Sequence, residues 1–281
     1  MRAVPPRPLR LMGVLNVTPD SFSDGGSWPT SALAVERGVI LASQGADILD
    51  VGGESTRPGA EAVAAEEELR RVLPVVEGLA RRVQVAISID TTKADIARAA
   101  LDAGATIVND VSAGLLDPEM LPLVADRGAT CVLMHRQGTP RDMQKAPAYT
   151  DVVAEVARFL EERAAAARAR GIAAERIWVD PGIGFGKTLA HNLELLVRLR
   201  EIAELGFPVC LGVSRKSFIA SIETERSLPP SPPEARVGGT AAAVTLGVLG
   251  GATILRVHDV ALMAQAARVA QACLRIRDRT I

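Results

Sequence analysis

Ile177-Trp178-Val179-Asp180-Pro181-Gly182-Ile183-Gly184-Phe185-Gly186-Lys187-Thr188 is an apolar run that ends on a carboxylate and then breaks into glycines. A phosphate-cradling P-loop needs a glycine where Pro181 stands, and proline has no backbone N–H to offer a phosphate. Gly182, Gly184 and Gly186 miss the dinucleotide fingerprint too, because its last two glycines are separated by two residues rather than one. What remains is a buried strand that delivers Asp180 to its carboxyl end, followed by a loop whose glycines let another group approach the backbone.

The same arrangement repeats on both sides of this stretch. Short apolar runs span residues 9–17, 46–52, 85–90, 106–111, 130–135, 177–180, 209–214 and 253–258. None alternates strictly between apolar and polar residues, which marks strands buried on both faces. Helical patterns lie between them: Val152, Val153, Val156 and Leu160 share a face, as do Leu189, Leu193, Leu196 and Leu199, and later Leu262, Ala266, Val269 and Cys273. The turns Gly45-Ala46, Gly104-Ala105, Gly128-Ala129 and Gly251-Ala252 end helices on a residue that tolerates the left-handed conformation.

Eight strand-helix units in 281 residues fit a (β/α)8 TIM barrel, an α/β fold of typically ~250 residues before insertions. An open doubly wound sheet is the alternative. The barrel is preferred because polar residues stand where the strands end: Asn16, the group Glu54-Ser55-Thr56-Arg57, Asp90, Asn109 with Asp110, His135, Asp180, Ser214 through Lys216, and Arg256 with His258. In a barrel these converge on one mouth, whereas an open sheet holds the outer ones far apart. Residues 1–281 read as a single catalytic domain, with 1–8 a loose lead-in. Extra length falls in the connections 18–29, 54–62 and 216–233, which read as lids.

Composition agrees. Hydrophobic residues make up 48% of the chain but aromatics only 3%, so Ala, Val, Leu and Ile must build the interior, as parallel strands under helices require. A net charge of -1 gives no reason to expect a nucleic-acid or membrane partner. Cys131, Cys210 and Cys273 form no C-x-x-C pair and read as reduced, largely buried thiols of a cytoplasmic protein. The longest apolar run, 241–255, is shorter than the roughly 20 residues of a membrane span.

The strand ends carry the chemistry. Asn16-Val17-Thr18-Pro19-Asp20-Ser21-Phe22-Ser23-Asp24-Gly25-Gly26 offers hard oxygens suited to Mg²⁺, or forms an ordinary Asx-rich turn. Gly52 to Gly59 is either an anion-contacting loop built on Arg57 and hydroxyls or a glycine-rich turn. Asp90, Asn109, Asp180 and Lys216 end four strands and would ring the mouth with acceptors and donors, which suits a flat heterocycle with an amino-pyrimidinone edge. Arg256-Val257-His258 alternates, so Arg256 and His258 face one side and offer a polyphosphate or carboxylate pocket. His135 has no second ligand at metal spacing and is expected to serve as a hydrogen-bonding group.

Taken together, these motifs resemble the dihydropteroate synthase family over residues 11–260. The resemblance rests on Met12 through Gly26, Gly52 to Gly59, Ser88-Ile89-Asp90-Thr91, Asn109-Asp110, Asp180 to Lys187, Ser214-Arg215-Lys216-Ser217 and Arg256-Val257-His258. It implies joining of 6-hydroxymethyl-7,8-dihydropterin pyrophosphate to p-aminobenzoate. Asp90, Asn109, Met134, Asp180 and Lys216 would hold the pterin. Asn16, Thr56, Arg256 and His258 would hold the pyrophosphate, with Asn16 also meeting Mg²⁺. Phe22, Asp24, Arg57, Pro58 and Phe185, with Ser217 at a helix N-terminus, would close over p-aminobenzoate. Asp90, Asp180, Lys216, Arg256 and His258 are the expected catalytic group, and a homodimer is implied. Arg136 departs from the family, which more often has an apolar residue there. The rivals are a pterin-dependent methyltransferase and a non-catalytic pterin-binding protein.

Overall fold

The computed structural model describes residues 8–18, 30–55, 59–139 and 141–280. The expectations placed on Phe22, Asp24, Thr56, Arg57 and Pro58 lie outside them. Eight parallel strands, β1 Arg10–Asn16, β2 Ile48–Gly52, β3 Ala86–Asp90, β4 Ile107–Asp110, β5 Thr130–Met134, β6 Ile177–Asp180, β7 Cys210–Gly212 and β8 Ile254–Val257, all fall inside the apolar runs. They form one sheet in the order β6-β5-β4-β3-β2-β1-β8-β7. A single bridge between Val179 and Val209 brings β6 to β7, so the sheet curls into a nearly closed barrel. Pro208, which has no N–H, limits that seam, and its carbonyl accepts from the Val179 N–H at 2.9 Å.

Strand periodicity sorts the side chains into two cores. Leu49, Val51, Ile87, Ile89, Val108, Leu133, Val179, Leu211 and Val257 face the helices. Met12, Ile48, Ile107, Val132, Trp178, Cys210 and Ile254 fill the lumen at its amino-terminal end as a separate cluster. Each such side chain contributes about 1.5–3 kcal/mol by leaving water. Two residues further along the same faces the lumen turns polar, with Asp50, Asp180 and Arg256.

Ten helices cover the barrel among the described residues: α1 Thr30–Ser43, α2 Ala65–Ala80, α3 Ala94–Asp102, α4 Met120–Asp126, α5 Val152–Ala169, α6 Leu189–Val197, α7 Leu199–Ala203, α8 Ser217–Glu225, α9 Val237–Leu249 and α10 Val260–Thr280. Asp151 caps α5, its carboxylate accepting from the Val153 and Ala154 N–H groups, and Val152, Val153, Val156 and Leu160 are buried as their spacing predicts. Gly45, Gly104, Gly128 and Gly251 all carry positive φ at the helix-to-strand turns.

Three expectations are corrected. α6 buries Asn192, Leu195 and Leu196 while Leu193 is exposed, because the helix breaks at Arg198 and the face rotates. α10 buries Val260, Met263, Ala264, Ala267 and Ala270, leaving Leu262, Val269 and Cys273 outside. The apolar stripe read from the sequence is therefore the solvent side of that helix. The connection 216–233 is not an open loop, since it begins with α8, whose Phe218, Ile219 and Ala220 pack into the core.

Candidate active site

The register aligns Asn16 with Gly52 and Gly52 with Asp90 at the carboxyl ends of β1, β2 and β3. Asn109 pairs with Asp90, and Met134 with Asp180. A Cβ added to Gly212 would stand 3.7 Å from Lys216 Nζ, 3.9 Å from Asp180 Oδ2 and 4.0 Å from Arg256 Cβ, so three of the expected residues surround this glycine. Asp90, Asn109, Met134 and Asp180 are all buried. The four members of the expected ring thus meet in one lumen.

Arg256 does not stand free beside His258. Its Nε donates to Asp50 Oδ2 at 2.6 Å and an Nη to Asp90 Oδ2 at 2.6 Å. Asn109 Nδ2 donates to the same Asp50 oxygen at 3.1 Å. His258 lies against Ser214, whose hydroxyl accepts the His258 N–H at 3.2 Å and sits 3.1 Å from Nδ1. Asn16 and Phe185 are half-buried, and Ser217 is exposed at the first turn of α8.

Not every residue near the mouth points inward. Asp110 turns back on its own loop, accepting from the Ser112 N–H and hydroxyl and from the Gly114 N–H. Arg215 pairs with Asp259 through two bonds at 2.9 and 2.6 Å, which ties the end of β7 to the end of β8. Arg136 lines a cavity of about 320 Å³ together with Glu54, Asp90, Thr91 and Leu116.

The glycine loop after β6 is bolted in place. Asp180 Oδ1 accepts the Gly182 N–H at 2.7 Å, Asn192 Oδ1 accepts the Gly184 N–H at 2.7 Å, and Gln144 and Tyr149 donate to the Gly184 and Gly186 carbonyls. Lys216 Nζ donates to the Ile183 carbonyl and lies 4.6 Å from the Phe185 ring centroid. Lys187 is buried with its Nζ 2.9 Å from His135 Nδ1 and donating to the Phe185 carbonyl at 3.0 Å. His135 is accordingly a hydrogen-bonding group.

Burial sets the charge states. It raises Asp90 to about 7 against the pull of Arg256, with Asp50, Glu68 and Asp110 adding to the rise. Asp180 is also raised by burial, opposed chiefly by Lys216. Burial lowers Lys216 to about 8 while Asp180 holds it up, and lowers Lys187 to about 7 with help from the Lys216 charge. His135 falls to about 3 through burial and the neighbouring Lys187. Although burial opposes its charge, Asp50 and Asp90 keep Arg256 above its usual value. A buried acid and buried amines poised near neutrality, as Asp90, Lys216 and Lys187 are, are a physical signature of a reaction site.

Asp50, which accepts from both Arg256 and Asn109, is the lumen residue that sequence reasoning passed over, because it lies within the run 46–52. The signal was present: a charge in the middle of a buried strand requires a partner.

This pocket of buried acids and cations at the carboxyl end of a barrel belongs to a recognised class. The pattern of the pterin binding enzyme family matches residues 12–258, and the chain belongs to that family. Dihydropteroate synthase of Synechocystis sp. is 46% identical over 265 residues, covering 94% of this chain and 90% of its own. The structure of Xanthomonas albilineans dihydropteroate synthase with 4-aminobenzoic acid has a TM-score of 0.87 at 52% identity, covering 95% and 93% of the two chains. That enzyme in complex with 7,8-dihydropteroate gives 0.84 at 49% identity, covering 95% and 94%. Within the pterin-binding enzymes, the chain stands among the dihydropteroate synthases.

Proposed function

We propose that the chain condenses 6-hydroxymethyl-7,8-dihydropterin pyrophosphate with p-aminobenzoate, yielding 7,8-dihydropteroate and pyrophosphate, with the barrel as one catalytic unit. The observation that carries this is the convergence of Asp90, Asn109, Asp180 and Lys216 in one lumen beside Met134. Asp180 accepts from the amino-pyrimidinone edge, Lys216 donates to its oxygen, and Asp90 and Asn109 meet the remaining ring nitrogens. Met134 supplies the apolar contact. Asn16, Arg256 and His258, with Thr56 beyond the described residues, bind the pyrophosphate. His258 is steadied by Ser214 at 3.1 Å from its Nδ1, and an imidazole N–H is a donor suited to a phosphate oxygen.

The reaction breaks the bond from the exocyclic methylene carbon to the pyrophosphate oxygen and forms one to the arylamine nitrogen. Both electrons of the broken bond leave with pyrophosphate, and the nitrogen then sheds a proton to water. Arg256 and His258 meet the charge growing on the leaving group, where fixed donors help most. Asp90 and Asp180 stabilise the electron-poor pterin carbon. An arylamine is uncharged at neutral pH, so activating the electrophile does more than a strong base. Phe22, Asp24, Arg57, Pro58 and Phe185 cover p-aminobenzoate, with Ser217 at the N-terminus of α8 facing its carboxylate.

Mg²⁺ fits this donor set as a substrate-borne ion. Asn16 offers one neutral hard oxygen, and no cluster of three acidic, His or Cys ligands exists among the described residues, so diphosphate and water would complete the shell. When bound, the ion neutralises diphosphate charge.

The surface and the cysteines also bear on the proposed assembly and location. Leu262, Val269 and Ile276 recur every seven residues on the outer side of α10, and Leu246 of the adjoining α9 is also exposed. Such a stripe supports a homodimer, to be checked by sedimentation. No helix among the described residues is long and apolar enough to cross a membrane, and the unbridged cysteines are consistent with the cytoplasm.

One assay tests the reaction. Protein, Mg²⁺, dihydropterin pyrophosphate and p-aminobenzoate together should release pyrophosphate, and chelation by EDTA should stop it. Release that is independent of p-aminobenzoate, or none at all, defeats the synthase reading in favour of a methyltransferase or a silent pterin binder.

A further inference from the structure

We infer that Asp50 is a positioning residue for pterin recognition, anchoring Arg256 and Asn109 from the lumen floor so that Arg256 can release Asp90 when the heterocycle arrives. The inference rests on the reading of Asp90 and Asn109 as pterin ligands.

Asp50 is wholly buried on β2, two residues below Gly52, which is level with Asp90. Its Oδ2 alone accepts from Arg256 Nε and Asn109 Nδ2. A carboxylate only accepts, so it compels Asn109 to turn its amide nitrogen downward and its oxygen the other way. The pocket is thereby presented with an acceptor for a ring N–H. Reversal of that amide would offer the heterocycle the wrong group.

The second consequence concerns charge. Arg256 bridges Asp50 and Asp90, so two carboxylates share one guanidinium. A carboxylate locked onto an arginine has less acceptor capacity for a ligand. With Asp50 holding Nε, the other end of the guanidinium can let go of Asp90 without leaving the cation unpaired in a buried site. Asp50 Oδ1 and the hydroxyl of Ser88, its register partner on β3, are both buried without a hydrogen-bond partner. The floor therefore retains acceptor capacity for a water or a ring N–H.

Asp50→Asn separates these contributions, since the amide oxygen can still accept both bonds while the charge is gone. In the pyrophosphate-release assay, KM for dihydropterin pyrophosphate is expected to rise at least tenfold, while KM for p-aminobenzoate stays within twofold. The pH profile gives the second readout. Asp90 is faced by Arg256 from β8, Asp50 from β2, Glu68 from α2 and Asp110 from β4, and burial holds it near 7. Pterin binding uses its ionised form, so affinity rises with pH through about 7. Removing the Asp50 charge makes ionisation of Asp90 easier and moves that limb to lower pH. Asp50→Ser, which leaves space for a water, replaces the Asn variant if a thermal melt shows the latter unfolded. Equal changes in both KM values, or an unmoved acid limb, overturn the inference. A wild-type protein that releases no pyrophosphate defeats the reaction reading instead.

Discussion

Asp180→Ala yields a folded barrel that has lost measurable affinity for the pterin. The carboxylate lies buried at the end of β6, and the ring N–H donors proposed to meet it have no other acceptor there once it is gone. A hydrogen bond to a charged group is worth about 1.5–3 kcal/mol, and two of them correspond to roughly 10²–10⁴ in affinity. A second effect adds to the first. Asp180 raises the proton affinity of both Lys216 and Lys187, so its removal leaves two buried amines that shed protons more readily and donate to the substrate less well. Calorimetric titration with dihydropterin pyrophosphate measures the loss, and a melting temperature within a few degrees of wild type shows the fold intact. Affinity retained within tenfold would sink the ring as drawn.

Gly182→Ala is expected to damage the protein more than any other single methyl on this loop. Gly182 has φ +68°, and a Cβ there would lie 1.8 Å from the carbonyl oxygen of His135. That neighbour is backbone, held by the His135 N–H donating to the Asp180 carbonyl at 3.0 Å, and cannot step aside. The left-handed conformation alone costs about 1–2 kcal/mol for a non-glycine residue, and the overlap brings the total to roughly 3 kcal/mol or more. Gly184→Ala makes the contrast. It is equally left-handed, but its nearest neighbour is the flexible Lys216 Cδ at 3.3 Å, so about 1–2 kcal/mol is expected. Urea midpoints should rank wild type, Gly184→Ala and Gly182→Ala in falling order. Equal losses from the two variants would show that the loop is not clamped against His135.

The strands were legible because a strand covered on both faces leaves a dense apolar run, and its polar end residue marks where covering stops. Asp90 and Asp180 were found that way, and Asn109 one residue before the end of β4. Helix faces were less legible. On α10, alanines occupy much of the buried side while larger residues such as Leu262 and Val269 face out, so the more hydrophobic stripe is the wrong one. Asp50 and Lys187 were missed as partners of other lumen and loop residues for a different reason. Their partners, Arg256 and His135, stand 206 and 52 residues away in the chain, and only closure of the barrel brings them together. The bridging of Arg256 between Asp50 and Asp90 is also invisible to strand alternation, which gives the direction of a side chain but not how far it reaches.

The apolar layer of Met12, Ile48, Ile107, Val132, Trp178, Cys210 and Ile254 beneath the polar ring makes the lumen a cup rather than a tunnel. Traffic through a cup has an order. On the proposed reading, the pterin rests on the floor and p-aminobenzoate lies above it, so the heterocycle must arrive first. The joined product spans both positions and must withdraw past the same rim, with its arylamine end leading.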